Sequence, residues 1–469
     1  MNFNVLPPEV ISTILYSVGA RSIYVVELDM TGNVDGPREY TTIAEKLSHL
    51  KRFDRSWRRL EWNTRENWTI PGGTLLWELY GGILITGQSD EEGYWKIDIR
   101  ELPSSRKEPP VRAWVLDRIA LPLVDLATHT KHDLLVLVSK QDGQSVIDLH
   151  IRTLSRNEQH PSATLGILRH DMMKTNNSHG FLVHIAGSLL GMLASDIDDL
   201  GQVINQLVIW DWITGNRLAY MCGLRGFIDF AFLSQRYFLL SSLDIDNTTE
   251  HVPSPSLDVY DLQTSAGHSS TEHSYYVRRY LLPNVKASAM ASLIRIYAES
   301  SADSEPCVYN VEDGNAGEDW FKFSSFSVSP TSTLYAIQIF LKPKEPPMGG
   351  DLQELILFAP QSTFLPSSAS PRSDISPLSL DFELLPKIRP ETCHTRAKTV
   401  AWDKWGPHGT RLMRHSDFFN LEHSYYPFGS RIVLPSPIPP RTDPTGLIVE
   451  EYEECRIRVL ALGALPNIA

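Results

Sequence analysis

After about residue 71 the sequence consists of short apolar runs, many with alternating polar residues, between clusters of Gly, Asn, Asp and Pro. Alternation with a period of two is typical of strands with one buried face, and the clusters are typical of turns. No long amphipathic helical pattern interrupts the runs. An α/β fold needs helices that alternate with strands, so this pattern favours a sandwich, a barrel or a propeller.

Weak internal repetition favours the propeller among these folds. Residues 207–216 (LVIWDWITGN) resemble the third strand and the following turn of a WD-type blade. The runs that would form later blades lie at residues 228–234, 237–241 and 257–262, and then at 326–330, 333–337 and 355–358. We therefore predict a mainly β protein, a degenerate β-propeller of about six blades, preceded by a short α-helical N-terminal region.

The first 70 residues have a helical pattern instead. Residues 7–18 place apolar side chains at helical spacing after a proline that suits a first turn. Thr42 and Glu45 have the spacing of a capping box and predict the start of a second helix. Residues 23–30 (IYVVELDM) fit either a strand or a short buried helix.

The predicted second helix has two contrasting faces. Its apolar stripe consists of Ile43, Leu47, Leu50, Phe53, Trp57 and Leu60. The rest of its surface carries Lys46, Lys51, Arg52, Arg55, Arg58 and Arg59. One interpretation is a solvated face on a helix that docks by its stripe. The other is a basic contact surface for an acidic partner, and the sequence leaves both open.

Composition excludes several classes of function. The net charge of −13 disfavours a general binder of nucleic acid or of an anionic membrane. The four cysteines are far apart and form no CxxC pair, so we expect neither a structural zinc nor a disulfide framework. The N-terminus is a poor signal peptide and no run is long enough to span a bilayer. A cytoplasmic or nuclear location is the expectation.

A search for catalytic motifs finds no GxSxG, GxxxxGK[ST] or HExxH pattern, and no GxGxxG after a strand. The acidic run at residues 196–199 lacks the ligand spacing of a calcium loop. His170, His179 and the adjacent Cys393 and His394 fit ordinary surface or core roles. We therefore predict a protein that is not an enzyme, with no catalytic, cofactor-binding or metal-binding residue. Most of the eleven tryptophans are predicted to be core, and one or two exposed ones would be binding anchors.

Several segments together resemble a family. Residues 6–15 (LPPEVISTIL) are similar to the first helix of an F-box, and residues 27–62 to the segment that follows it in a large group of fungal, basidiomycete-type F-box proteins. Residues 209–215 (IWDWITG), 229–233 (DFAFL) and 402–407 (WDKWGP) resemble later motifs of the same group, in the same order.

The resemblance implies a substrate-recruiting subunit of a ubiquitin ligase of the SCF type. In this family the F-box binds a Skp-type adaptor and the remaining domain recruits a protein substrate. Carried over by motif, the adaptor-binding residues would be Leu6, Pro7, Val10, Ile11, Ile14 and Leu15. The chain would then divide into a truncated F-box-like segment and connector (1–39), a helical linker (40–70) and a propeller-like domain (71–469) with a disordered Ser/Pro-rich insertion near 360–395.

The F-box is incomplete, since only its first helix precedes the connector. One helix buries little surface compared with a stable interface, which needs about 800 Å² on each partner, so adaptor binding is in question. The residues of 6–15 would otherwise pack back onto the chain. Two alternatives therefore stay open: a WD-like propeller scaffold with no ubiquitin-ligase link, and a channel site for a small molecule, which would need converging polar residues.

Overall fold

The computed structural model describes residues 19–36, 42–59, 76–101, 112–141, 145–172, 178–197, 203–224, 227–243, 255–262, 274–283, 289–298, 326–329, 333–343, 353–365, 398–414, 426–428, 431–437 and 455–461. These residues form a mainly β structure of several antiparallel sheets with few helices. The predicted helix over residues 7–18 lies outside the described residues. So does most of the Ser/Pro-rich insertion predicted near 360–395. Its first residues are ordered instead, since Gln361 and Phe364 are buried next to the end of a strand.

The first sheets follow one another along the chain. Sheet 1 contains β2 (Leu76–Tyr80), β3 (Ile83–Ser89), β4 (Trp95–Glu101) and β5 (Ala113–Ile119). Sheet 2 contains β6 (Leu123–His129), β7 (Leu134–Lys140), β8 (Val146–Thr153) and β9 (Ile167–Asp171). Sheet 3 contains β10 (Ser178–Ala186), β11 (Leu189–Ile197), β12 (Val203–Asp211) and β13 (Arg217–Leu224).

The later sheets are less regular. Sheet 4 contains β14 (Phe227–Phe232), β15 (Tyr237–Leu243), β16 (Pro255–Leu262), β17 (Ser274–Leu281) and the parallel β22 (Lys398–Val400). Sheet 5 contains β18 (Ala289–Ala298), β20 (Leu334–Pro343), β21 (Gln353–Pro360) and β23 (Arg411–Arg414). Sheet 6 contains β24 (Tyr426–Phe428), β25 (Arg431–Pro437) and β26 (Cys455–Ala461).

The sheets pack in series, as blades of a propeller do. The first strand of each sheet contacts the first strand of the next, from β2 through β6, β10, β14 and β18 to β24. Separate apolar layers fill the spaces between successive sheets from sheet 1 to sheet 5. Ile85 and Leu137 belong to the layer between sheets 1 and 2, and Leu257 and Ile337 to the layer between sheets 4 and 5. This order is the propeller-like feature of the fold.

Three predicted strand assignments are confirmed. Residues 207–211 belong to β12, the third strand of sheet 3, and β14, β15 and β16 are the first three strands of sheet 4. Residues 355–358 lie in β21, the third strand of sheet 5. The assignment of residues 326–330 to the same blade was wrong. β19 (Phe326–Val328) pairs with β1 (Asn33–Asp35) instead, and β18 is the first strand of sheet 5.

The WD-type turn at the end of β12 has a clear local cause. One carboxylate oxygen of Asp211 accepts the N–H groups of Ile213 (3.0 Å) and Thr214 (3.3 Å). Gly215 then takes a φ of 78°, which a glycine adopts without strain. The indole N–H of the buried Trp212 donates to the carbonyl of Gly187 at 2.7 Å and so ties this turn to the β10–β11 turn.

Sheets 3 and 4 approach each other closely at Gly191 on β11. A Cβ at this position would lie 2.6 Å from Cε2 of Phe230 and 3.0 Å from Cζ of Phe232, both of which are buried. We expect Gly191→Ala to lower the free energy of unfolding by about 1–3 kcal/mol, because the two buried rings would have to shift to admit the methyl group. Urea denaturation followed by circular dichroism measures this loss.

Gly180 is the control for this substitution, since it lies on neighbouring β10 and a Cβ there would meet nothing within 4 Å. Gly180→Ala should leave the urea midpoint nearly unchanged. Equal midpoints for the two variants would show that sheets 3 and 4 are farther apart than described.

Candidate protein-binding surface

Two helices stand before the sheets, and both begin with identifiable local signals. α1 (Ala20–Met30) follows Gly19, and α2 (Ile43–Arg59) begins with the predicted capping box. The Thr42 N–H donates to Oε2 of Glu45 at 2.8 Å, and the Glu45 N–H donates to Oγ1 of Thr42 at 3.3 Å. The ambiguous segment 23–30 is helical. Tyr24 and Leu28, one turn apart, bury their side chains against α2, and this packing outweighs the strand preference of its valines.

A polar cluster fixes the angle between the two helices. The Tyr24 hydroxyl donates to Oδ1 of Asp35 at 2.8 Å, and the Lys46 ammonium donates to the same oxygen at 2.8 Å and to the carbonyl of Gly36. Burial raises the pKa of Tyr24 above its ordinary value, and the Asp35 carboxylate raises it further. Lys46 is therefore engaged inside the helix pair and takes no part in the basic surface.

The apolar stripe of α2 docks the pair onto the body. Leu50 and Phe53 are buried in a cluster with Leu28 and Phe326, and the rings of Phe53 and Phe326 meet edge to face at 5.3 Å. Since Phe326 lies on β19, in the connection between β18 and β20, the helix pair is held at sheet 5. These contacts show that the first part of the predicted stripe docks the helix, whereas the side chain of Trp57 and Leu60 lie outside the described residues.

Next to the apolar stripe, and sharing Leu47 with it, α2 bears an open groove of about 640 Å³. Its lining residues on α2 are Ala44, Leu47, Ser48, Lys51, Arg52, Arg55 and Ser56. Lys51 lies 3.4 Å from a carboxylate oxygen of Glu27 on α1. Among the described residues, Arg52 and Arg55 are exposed and form no ion pair. The groove thus combines a small apolar patch with two available guanidinium groups.

Outside the groove the helix is more balanced in charge. Arg58 pairs with Asp54 at 2.7 Å, one turn earlier on the same helix. Sequence reasoning identified the basic residues but not the groove, because its small members, Ala44, Ser48 and Ser56, give no signal of their own. Their helical spacing relative to Arg52 and Arg55, beside the apolar stripe, was the available signal.

Three carboxyl groups on the first strands of sheets 1, 2 and 4 are the other candidate site. Burial raises the pKa of Glu78 to about 8 and those of Asp125 and Asp229 to about 7. Each already has a structural hydrogen bond, because Glu78 accepts from Thr128 of the next sheet at 2.8 Å and Asp125 accepts the Leu126 N–H at 2.8 Å. Glu78 joins two strands and Asp125 holds its own backbone, so these carboxyl groups are a weaker candidate for binding a ligand than the groove.

The described tryptophans include both buried and exposed side chains. Trp95, Trp210, Trp212 and Trp405 are buried, whereas Trp77 is 53% exposed. His170 is also buried and hydrogen-bonds Oε1 of Gln206 at 3.1 Å, which is the core role expected for it. The predicted adaptor-binding residues lie outside the described residues. They are Leu6, Pro7, Val10, Ile11, Ile14 and Leu15.

Two further surveys are confined to the described part of the chain. No three His, Cys, Asp or Glu side chains there converge closely enough to hold a metal ion. No helix among those residues combines the length and the hydropathy needed to cross a lipid bilayer.

No family model matches the chain, and no curated protein matches it significantly. Solved structures that it resembles include the β-propeller domain of the trilobed protease from Pyrococcus furiosus, with 8% identity over 60% of this chain and 82% of that chain and a TM-score of 0.28. Hydrazine synthase from Kuenenia stuttgartiensis has 9% identity over 60% and 79%, with a TM-score of 0.30. The complex of the fission yeast SREBP–SCAP binding domains has 10% identity over 77% and 90%, with a TM-score of 0.29. Because these TM-scores are low, the fold assignment rests on the sheets described above.

Proposed function

We propose that this chain is a protein-interaction module in which the basic groove of α2 binds an acidic segment of a partner protein. The six sheets serve as blades of one propeller and form the rigid scaffold that carries the helix pair. The observation that supports this function is the exposed pair Arg52 and Arg55 beside the apolar patch of Ala44 and Leu47. No enzymatic activity is part of the proposal.

The dimensions of the groove suit a short peptide. Its lining runs from Ala44 to Ser56, and a helix rises about 1.5 Å per residue, so the groove is about 18 Å long. That length fits about five residues of an extended chain. Guanidinium groups bind carboxylates through paired hydrogen bonds, which favours Asp or Glu in the partner.

The charge of the whole chain favours a protein partner over a nucleic acid. The net charge of −13 repels a long polyanion at a distance, whereas a short acidic segment meets only the local field of the groove. Apolar residues flanking the acidic ones would pack on Leu47. The expected ligand is therefore an acidic segment with one or two apolar side chains.

Charge reversal in the groove tests this function. Against a labelled synthetic peptide of alternating Glu and Leu, we expect Arg52→Glu with Arg55→Glu to weaken binding by at least about tenfold, because two attractive charges become repulsive. Wild-type binding should also weaken as salt is added. Fluorescence anisotropy measures both effects.

The matched control is Arg58→Glu with Arg59→Glu, which changes the same charge on the same helix outside the groove. This control should bind the peptide within about threefold of the wild type, since exposed rim charges contribute little. If both double variants lose affinity equally, the effect is general electrostatics and the groove is not the binding site.

We also propose a link to a ubiquitin ligase, on the support of the motif order alone. Residues 6–15 would hold a Skp-type adaptor and the propeller would recruit the substrate. Co-purification of an adaptor that is lost on Ile11→Asp and Leu15→Asp supports this role. A partner set that survives deletion of residues 1–20 instead supports a propeller scaffold without the ligase link.

A further inference from the structure

The groove of α2 has two chemically different ends. At its N-terminal end Ala44 is exposed and Leu47 is half-buried, and residues three apart on a helix are neighbours on its surface. At its C-terminal end Arg52 and Arg55 are also three residues apart, and both are exposed. The apolar patch and the two guanidinium groups are thus separated along the helix.

The charged neighbours of the groove sharpen this division. Between its ends, the ammonium of Lys51 lies 3.4 Å from a carboxylate oxygen of Glu27 on α1, so its charge is partly neutralised. Beside Ala44, the carboxylate of Glu45 accepts hydrogen bonds from the N–H and the hydroxyl of Thr42. A ligand carboxylate at the N-terminal end would therefore meet a negative charge, whereas one at the C-terminal end would meet two guanidinium groups.

The geometry of the helix sets the distance between the two ends. Arg52 comes eight residues after Ala44, and Arg55 comes eight residues after Leu47. Since a helix rises about 1.5 Å per residue, each of these pairs is about 12 Å apart along the axis. The side chains all tilt toward the N-terminus, which preserves this spacing. An extended chain rises about 3.3 Å per residue, so it covers the distance in about four residues.

We infer that the groove selects its ligand by spacing: an apolar side chain packs on Ala44 and Leu47, and an acidic pair about four residues away binds Arg52 and Arg55. This inference rests on the proposed binding of an acidic segment and specifies the kind of segment. The backbone groups in the middle of a helix are already paired, so the ligand is held by its side chains. The partner is thus a protein whose extended segment has this pattern in either chain direction.

Two synthetic peptides of identical composition test the spacing. The first, Leu-Ser-Ser-Ser-Glu-Glu, places leucine four residues from the first glutamate, and the second, Ser-Ser-Ser-Leu-Glu-Glu, places it next to that glutamate. Acetylated and amidated ends make their charges equal. With the full-length wild-type protein, fluorescence anisotropy should show at least about fivefold tighter binding of the first peptide. Only this peptide can bury its leucine while both arginines are engaged.

A variant that makes the apolar end cationic tests the assignment of that end. Ala44→Lys changes an exposed residue, and it should strengthen binding of Glu-Ser-Ser-Ser-Glu-Glu by at least about fivefold relative to the wild type. The matched control is Met30→Lys, which adds the same charge at a position on α1 that is 64% exposed and outside the groove. This control should strengthen binding by less than about twofold.

The outcomes separate this inference from the proposed function. If the wild type binds both leucine peptides equally, and Arg52→Glu with Arg55→Glu weakens both, the acidic groove stands but the spacing rule is overturned. Equal strengthening by Ala44→Lys and Met30→Lys also overturns the inference, since net charge and not position would then set the affinity. If neither peptide binds the wild type, the inference and the proposed function are both wrong.

Discussion

Replacement of Asp229 by alanine is expected to lower the free energy of unfolding by about 3–5 kcal/mol, because two buried N–H groups lose their acceptor together. Asp229 is buried on β14. Its Oδ1 accepts the Phe230 N–H at 2.7 Å, and its Oδ2 accepts the Ile296 N–H at 2.7 Å. Since Ile296 lies on β18, this one side chain joins the first strands of sheets 4 and 5.

Asp125 provides a control at the equivalent position of sheet 2. In β6 as in β14 the pairing shifts by one residue just before the aspartate, and the carboxylate accepts the next N–H. Asp125→Ala removes one such bond, so we expect a loss of about 1 kcal/mol. Urea titrations of both variants measure the difference. Equal losses would show that the bond to Ile296 does not stabilise the sheet 4–sheet 5 contact.

Replacement of Trp405 by alanine is also expected to lower the free energy of unfolding by about 3–5 kcal/mol, because it removes a large buried side chain and leaves a cavity. Trp405 lies on α3 (Trp402–Gly409), between β22 of sheet 4 and β23 of sheet 5, and its side chain is buried in the layer between those sheets. Its ring contacts Tyr280 and Phe364, with centroids at 5.2 and 6.0 Å. Its indole N–H donates to the carbonyl of Leu281 at 2.8 Å.

Two variants divide this loss into its parts. Trp405→Phe keeps most of the packing but leaves the Leu281 carbonyl without its donor, and we expect about 1–2 kcal/mol. Trp402 is only half-buried, and its ring contacts that of Trp405. We therefore expect Trp402→Ala to lower the free energy of unfolding by less than Trp405→Ala does. Thermal unfolding of the three variants ranks their losses of stability. A Trp402→Ala loss as large as that of Trp405→Ala would contradict the anchoring role of Trp405.

Local signals predicted the elements of this fold better than their partners. The capping box of Thr42 and Glu45 and the turn at Asp211 depend on neighbouring residues, so the sequence contains all their determinants. The strand at Phe326 was also visible, but its pairing with β1 depends on the docking of a helix pair distant in sequence. Such non-local choices are decided by packing, which periodicity does not contain.

The candidate surface also combines features that the sequence predicted with features that it did not. The charges of α2 and its apolar stripe were readable from spacing, and the structure confirms which face is docked. The availability of Arg52 and Arg55 was not readable, because the ion pair of neighbouring Lys51 with Glu27 depends on how α1 packs against α2. Likewise, nothing in the sequence distinguished exposed Trp77 from buried Trp95.

The β1–β19 ribbon also sets an order of events during synthesis. α1 and α2 leave the ribosome early, whereas Phe326, against which Phe53 packs, is made much later in the chain. At about 5–20 residues per second the interval is on the order of tens of seconds. Throughout this time Phe53 lacks its native partner Phe326, so we expect the nascent chain to expose part of the apolar stripe of α2 to chaperones until β19 is translated.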